Sequence, residues 1–480
     1  MIEKISLVNM PSNVKVYNKS ALKGIDWISP PLNLVEIAAS VLEESVDCRI
    51  LDLQLCNDPI QDLINNIKEY QPEIIGLTFT TLLFEEAKYI AKILKKRFPD
   101  ILLISGGSHS SIFPEEVLTK TMIDIVVFGE GDITVKEIVK QLPYAAIDGI
   151  AYKNDQGRII KNKVRTLIPD LNKLPLPAWH LLDVEKYVTA RPLARQSPAA
   201  PVMISRGCVY NCTYCSHAVF GQVCRTKSVE RVIREIKYVL DLGFREICIV
   251  DDQFAKDIKK AISICDELMK NKIDVPWQII TGVRVNRVNK ELFVKLKQAG
   301  CYKTAFGFES GNDKILKTIK KNATVNQARN AVKLAKKAGL ETSGFFMLGL
   351  PADTVNTMRD TIKFACSLGL DYAKTTIFVP LPGTPDYIEL EKRGKILTKD
   401  WTKYTYHATS SVFIHDNIQW ETVYKHYKKF YRKFYLRPWY MLNRLVYSIK
   451  HKQFFTNLKV AFNMFKFEKP KIRSDVSCKY

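Results

Sequence analysis

The 480-residue chain reads as an α/β protein in three parts. An N-terminal doubly wound, Rossmann-like domain comes first, a partial (β/α)6 barrel follows, and a helical, basic region closes the chain. Three observations predict this. Across residues 1–142 short apolar runs alternate with amphipathic helical patterns, the signature of a parallel sheet covered on both faces. A second strand–helix series of six units begins at about residue 200. After about residue 395 the pattern turns basic and aromatic, with a break at Pro438. The boundaries expected are 1–145, 146–195 for a hairpin and linker, 196–395, and 396–480.

Composition bounds the class. Hydrophobic residues make up 46% and charged residues 25%, ordinary for globular protein. No run approaches the ~18–20 apolar residues of a membrane span. The start, MIEKISLVNMPSN, lacks the basic region, long apolar core and cleavage site of a signal peptide, so a cytoplasmic protein is expected. Of 11 cysteines, eight are scattered, and Cys248 and Cys265 lie in apolar runs. Free cysteine there serves as a small buried hydrophobe, and a reducing compartment fits. The formal charge of +22 asks for an anionic partner: nucleic acid, a membrane surface or an acidic substrate.

The elements follow in order. Strands of the first domain are KISLVN, CRILDL, IIGLTFT, ILLISGG and IDIVVFG. Its helices are LVEIAASVLEE, PIQDLINNIKEY, FEEAKYIAKILKKRF and PEEVLTK. Ligands of such sheets bind beyond the carboxyl ends of the strands. Gly106, Gly107, Gly129 and Gly131 sit at those ends, where glycine lets backbone approach a ligand. Residues 149–168 predict a β-hairpin around an Asp-Gln-Gly turn, and LNKLPLPAWHLL reads as a linker. The second series has strands PVMIS, REICIV, WQIITG, KTAFGFE, SGFFMLG and AKTTIFV. Its helices often stop at glycine, as in VKLKQAG. Barrel chemistry sits at the carboxyl ends of the strands.

The segment SRGCVYNCTYCSHAVFG, residues 205–221, follows the first barrel strand and carries Cys208, Cys212 and Cys215. A triplet cannot be one closed disulfide framework. Thiolates suit zinc or iron–sulfur clusters. A structural zinc wants four ligands, and His217 would be the fourth, at a spacing tighter than two separated knuckles. The alternative is a cluster held by three cysteines, leaving one iron open to a substrate or cosubstrate.

The C-x-x-x-C-x-x-C spacing, the aromatic Tyr214 before the last cysteine, and the place after a first barrel strand resemble the radical SAM superfamily. The resemblance implies a four-iron four-sulfur cluster on Cys208, Cys212 and Cys215. Its fourth iron would chelate the amino and carboxylate groups of S-adenosylmethionine (SAM). An electron from a flavodoxin- or ferredoxin-type donor would then cleave SAM to methionine and a 5′-deoxyadenosyl radical. Tyr214 counts among the implied SAM-site residues. IVDDQF resembles the strand-2 segment that carries two aspartates, Asp251 and Asp252, departing from the Gly-Gly-Glu of many members. The plain reading of these two is a helix N-cap and a solvated turn. FGFESG resembles the strand-4 segment, whose Glu309 would reach the SAM ribose; a carboxylate ending an apolar strand is costly without a partner. Arg284 in TGVRVNR, Gly349 in FFMLGLP and the VPLPGTPDY run also match the pattern, and the resemblance implies that Asp251, Asp252, Arg284 and Gly349 join Tyr214 and Glu309 as SAM contacts.

Residues 1–145 resemble the cobalamin-binding domain found in front of many radical SAM enzymes. The matching pieces are SPPLNLVEIAASVLE, PEIIGLTFTT, ISGGSHSSIFPEEVL and VVFGEGD. Thr78, Thr80, Thr81, Gly106, Gly107, Gly129 and Gly131 are the implied cobalamin contacts, the threonine strip and Gly106–Gly107 packing around the nucleotide tail. The Asp-x-His-x-x-Gly motif of mutase-type domains is absent, so cobalt would lack a lower histidine. His109 is read as a polar residue near the tail or at a helix start.

The combination implies hydrogen abstraction from an unactivated carbon, then methyl donation from methylcobalamin, with a second SAM restoring the methyl group. Related families also hold radical cyclases and rearrangement enzymes. The tRNA methylthiotransferases carry a second, N-terminal cysteine triplet and a terminal β-barrel. Here only Cys48 and Cys56 precede residue 200, so nucleic acid is disfavoured. A non-catalytic cluster- and corrin-binding module is disfavoured by Glu309 and the glycine-rich strand ends.

Residues 424–467 hold 14 aromatics interleaved with Lys and Arg. Tyr424, Tyr427, Tyr431 and Phe434 fall at helical spacing. This face either caps the barrel or lies in a membrane surface, the second fitting a hydrophobic, lipid-like substrate. FYLRPWY resembles the C-terminal part of radical SAM enzymes acting on hopanoids, other lipids and tetrapyrroles.

Overall fold

The computed structural model describes residues 2–11, 28–189, 193–405 and 410–450. The first sheet is built from the apolar runs of the N-terminal domain. Strand β1 (Lys4–Asn9) lies between β2 (Asp47–Asp52) and β3 (Ile74–Thr78), and the sheet continues through β4 (Leu102–Gly106) and β5 (Ile125–Val127), all parallel. Strands β6 (Ile150–Lys153) and β7 (Ile159–Lys161) then add antiparallel. The hairpin therefore extends the first sheet past residue 145 instead of standing between the domains. The Phe128 N–H donates to Gly149 O at 2.8 Å and starts that return.

Helices α1 (Leu32–Leu42), α2 (Pro59–Tyr70), α3 (Phe84–Arg97), α4 (Ser108–Ile112), α5 (Pro114–Lys120) and α6 (Asp132–Val139) connect these strands. In α2 the Asp58 carboxylate accepts from Gln61 N–H and Pro59 occupies the first turn, so both start signals act together. Helices α4 and α6 are additional to the sequence expectation. They are too short for a clear apolar period, and α6 starts inside the glycine-rich FGEGD. The Pro-rich stretch is no loose tether: Trp179 is fully buried, with Phe244 5.4 Å away, and the Tyr187 hydroxyl donates to Asp52 at 3.1 Å.

The second sheet has six parallel strands in sequence order: β8 (Ala199–Val202), β11 (Glu246–Ile249), β12 (Trp277–Val283), β13 (Cys301–Glu309), β14 (Glu341–Leu348) and β15 (Tyr372–Ile377). The predicted strand PVMIS splits. Its second half becomes β9 (Ser205–Arg206), paired antiparallel with β10 (Arg225–Thr226). Helices α7 (Val229–Asp241), α8 (Ile258–Lys270), α9 (Lys290–Gln298), α10 (Asp313–Thr318), α11 (Val325–Lys337), α12 (Val355–Ser367) and α13 (Pro385–Lys392) cover the outside. Along β14 burial alternates, with Thr342, Gly344, Phe346 and Leu348 buried against the helices and Ser343, Phe345 and Met347 on the other face.

Helices α14 (Trp420–Tyr435) and α15 (Pro438–Lys450) complete the described chain. The aromatic stripe of α14 caps the barrel. Tyr427, Phe430, Tyr431 and Phe434 are buried, and two tyrosines do more than fill space. Strand β15 is an edge, with unpaired backbone groups on its outer side. The Tyr431 hydroxyl accepts from Thr375 N–H at 3.3 Å and donates to Thr375 O at 2.9 Å. Tyr435 repeats this on Ala373, at 3.1 and 2.8 Å. Side chains four residues apart on a helix thus take the place of a neighbouring strand. This stripe is not a membrane face; the part of the 424–467 stretch beyond Lys450 lies outside the described residues. No helix among the described residues is long and apolar enough to cross a membrane.

Replacing Tyr431 and Tyr435 by Phe leaves those edge groups unpaired beneath a helix. The expected loss is roughly 1–3 kcal/mol of unfolding free energy for each tyrosine, measured by urea denaturation.

Candidate active site

The cysteine loop, residues 207–224, is held at its base. Asp251 is fully buried at the end of β11, and its carboxylate accepts from Ile204 N–H at 2.5 Å and Ser205 Oγ at 2.8 Å. Both oxygens are engaged by the loop base, so Asp251 is a fastener, neither helix cap nor solvated turn. Burial pushes its carboxyl up to about 7. Asp252 remains exposed and accepts from Gly207 N–H at 3.1 Å. Gly207 itself is obligatory: φ is +83°, and an added Cβ would stand 2.1 Å from Val223 O.

Cys212 is buried, Cys208 half-buried and Cys215 exposed, and all three are free thiols. The Arg284 guanidinium donates to Cys212 Sγ at 3.7 Å and to Lys321 O, and lies 3.5 Å over the Tyr210 ring. Arg284 therefore braces the loop from behind the thiols. In the VPLPGTPDY run, Asp386 N–H donates to Thr213 O at 2.9 Å while Thr213 Oγ1 donates to Asp386 at 3.0 Å. Burial, then the neighbouring Cys212 and Cys208 thiols, push Cys215 up to about 11. Among the described residues no three His, Cys, Asp or Glu side chains close on a single-ion centre.

Glu309 ends β13 with φ +64° beside an irregularity in the β13–β14 register. Its carboxylate accepts from Lys321 Nζ at 2.7 Å, and the same ammonium donates to the Tyr214 hydroxyl at 3.1 Å. Gly307 makes room, since a Cβ there would stand 2.7 Å from Glu309 Oε1. The partner that Glu309 needs is thus Lys321, which sequence reasoning missed: no motif spacing joins TIKKNA to FGFESG. Gly349 is held by packing. Its φ is +79°, a Cβ would meet Val423 of α14 at 2.7 Å, and its N–H donates to Asp353 at 3.0 Å. It closes the turn after β14 and admits the C-terminal helix.

A second cavity, about 130 Å³, opens at the carboxyl ends of β1, β3, β4 and β5. Thr78, Gly106, Gly107, Gly129 and Gly131 line it as expected. An added Cβ on Gly106 or Gly129 would meet nothing within 4 Å, so backbone there is bare to the cavity. Thr78 Oγ1 accepts from Asn33 at 3.1 Å. Thr80 and Thr81 are not among its walls: Thr80 is exposed where the chain enters a short turn, and buried Thr81 bonds His109 Nδ1 at 3.2 Å. His109 sits near the start of α4, fully buried with Phe79, Phe84, Phe113 and Trp401 around it. Burial pushes its imidazole down to about 4, so it is a neutral core side chain, turned away from the cavity.

The barrel supplies the far wall of this cavity through Arg206, Val219 and Phe220. Arg206 is buried and pairs with Glu36 at 3.0 Å, Glu130 at 3.2 Å and Asp132 at 2.9 Å. Arg225 pairs with Glu130 at 2.7 Å, and Lys227 and Arg231 pair with Glu235 at 2.7 and 3.6 Å. Across the domain boundary two bases, Arg206 and Arg225, meet three acids, Glu36, Glu130 and Asp132, while the Glu235 pairs lie within the barrel domain. Burial alone would pull the Arg206 guanidinium down; Glu36, Asp132 and Glu130 outweigh it and push it up.

A thiol triplet at the mouth of a six-stranded parallel barrel, sharing a wall with an open cavity of a second α/β domain, defines a two-cofactor enzyme of the radical type. Comparison with known proteins agrees. Residues 202–365 match the radical SAM superfamily and residues 25–139 the B12 binding domain. An uncharacterized methyltransferase of Pyrococcus horikoshii is 36% identical over 445 residues, covering 91% of this chain and 93% of that relative. The fold is shared with two solved structures. The cobalamin-dependent SAM radical enzyme OxsB aligns with a TM-score of 0.73 at 17% identity, over 98% of this chain and 74% of that one. The radical SAM methyltransferase TsrM from Kitasatospora setae aligns with a TM-score of 0.67 at 19% identity, over 82% and 75%. The chain belongs to the radical SAM superfamily, among its members with a B12 binding domain. Its cofactors are a four-iron four-sulfur cluster, SAM and cobalamin. The free thiols and the glycine-lined cavity fit them.

Raising the Asp251 carboxyl means that the folded chain holds this proton more tightly than the unfolded chain. The stability it lends is full below the unfolded value, near 4, and is lost as pH rises through about 7. Unfolding curves between those limits are expected to fall less steeply with pH in Asp251→Asn than in the wild type.

Proposed function

We propose that this enzyme methylates an unactivated carbon of a hydrophobic substrate, lipid-like or a natural product, working in the cytoplasm at the periphery of a membrane. The observation that carries the reading is the common wall: Arg206, Val219 and Phe220 belong to the cysteine-loop region and also line the glycine cavity. Methyl donor and radical source then face one space. When bound, the cluster supplies the electron that cleaves SAM, and cobalamin supplies the methyl group. The electron comes from a donor of flavodoxin or ferredoxin type.

In this reading Cys208, Cys212 and Cys215 hold the cluster. Asp252, exposed at the loop mouth, takes the SAM amino group. Glu309, oriented by Lys321 and sharing that ammonium with Tyr214, takes the ribose. Thr78, Gly106, Gly107, Gly129 and Gly131 receive the nucleotide tail of cobalamin. Arg284 is a positioning residue that keeps Cys212 in place. The inner face of β14, with Phe345 and Met347, supplies apolar surface that keeps water from a carbon radical. The relative of 36% identity, named a methyltransferase over nearly its whole length, supports methyl transfer over cyclisation.

Product stoichiometry tests this. Under reductant, each methylated product is expected to accompany one 5′-deoxyadenosine and one S-adenosylhomocysteine. 5′-Deoxyadenosine without S-adenosylhomocysteine would contradict methyl transfer and leave a rearrangement. Cys212→Ala is expected to abolish both products and lower bound iron, read by chemical analysis.

A further inference from the structure

Helix α15 is amphipathic with its polar side inward. Tyr440 donates to Asp371 O at 2.8 Å, Arg444 to the Tyr372 hydroxyl at 2.7 Å, and Tyr447 to Glu341 at 2.9 Å. The Arg444 guanidinium lies 4.5 Å from the Tyr372 ring and 4.3 Å from that of Tyr447. The outward side is apolar. Trp439 is 73% exposed, Met441 53%, Leu442 52%, Leu445 43% and Val446 59%. Positions 439, 442 and 446, with 441 and 445, are three or four apart and form one stripe. A patch of this kind asks for a partner.

Its surroundings say which. Lys425, Lys429, Arg432 and Lys433 are exposed on the adjoining α14. From Lys425 to Arg473 the sequence carries 14 Lys or Arg against the single acid Glu468. We propose that α15 docks the enzyme on an anionic lipid bilayer. The apolar stripe enters the boundary between headgroups and acyl chains, and the flanking bases meet lipid phosphates. This deepens the peripheral placement stated above and moves it from the aromatic stripe of α14, which the barrel occupies, to the next helix. A second copy is the poorer occupant, because two chains of charge +22 would meet through their most basic regions.

The test is flotation of full-length holoenzyme with vesicles of phosphatidylcholine and phosphatidylglycerol, against vesicles of phosphatidylcholine alone. The wild type is expected to float with the anionic vesicles only, and less at high salt. Leu442→Ser with Val446→Ser is expected to weaken flotation about tenfold with the cluster and corrin absorption unchanged. Absence of flotation, equal flotation with neutral vesicles, or undiminished flotation of the double variant would each overturn the proposal. So would a dimer in light scattering that the double variant dissociates, or protection of the stripe from hydrogen exchange by residues 451–480 without vesicles. Flotation needs no turnover, so its outcome and that of the product assay are independent.

Discussion

The structure depends on a charge cluster that carries no chemistry of its own. Arg206 is buried among Glu36, Glu130 and Asp132, carboxylates of the first domain, while it sits on the short strand β9 that leads into the cysteine loop. Burying so many charges is costly unless each is paired and its remaining hydrogen bonds are met. Here two arginines of the barrel face three carboxylates of the first domain, and burial holds the Glu36 carboxyl above its usual range. Backbone adds to the set, with Ile168 N–H donating to Glu130 at 2.9 Å and Arg225 donating to Ile168 O at 2.7 Å. Sliding one domain over the other would strand ions in a dry interface. The cluster therefore sets the register of the glycine-lined cavity against Gly207 and Cys208, which follow Arg206 directly in the chain.

Around that anchor the loop is fastened by groups that leave the thiols free. Asp251 ties its base, Asp386 its middle and Arg284 its rear. Glu309 is held in left-handed backbone by Lys321, with Gly307 left bare so that the carboxylate can lie over the strand. Strain at one residue, with a buried lysine to hold it, is the kind of local cost found at functional sites. The C-terminal helix belongs to the same design. It seals the edge of β15, fits against Gly349, and carries the chain to α15.

Local features were legible in the sequence. Cys208, Cys212 and Cys215 lie within eight consecutive residues. Gly106 and Gly129 mark strand ends, and the six apolar strands of the barrel are each recognisable by their own runs. Features made by distant residues were not. Arg206 and Asp132 are 74 positions apart, and Lys321 joins Tyr214 across 107; no spacing rule connects them. Thr81 and Gly349 carry packing that their motifs do not announce. Each sits in a motif-like stretch, yet the fold turns it toward packing. The α14 stripe was visible as helical aromatic spacing, but only the structure shows that its hydroxyls meet a strand edge.

The most direct measurement is the affinity of the chain for hydroxocobalamin, titrated by visible absorbance, with the iron–sulfur cluster in place and after its removal. Val219 and Phe220 belong to the cysteine loop and line the cavity, so loosening the loop should open the cavity wall. The account predicts markedly weaker binding without the cluster, by about tenfold or more, in the usual range of coupling between sites. Equal affinity with and without the cluster would contradict a shared wall and leave the two cofactor sites merely adjacent.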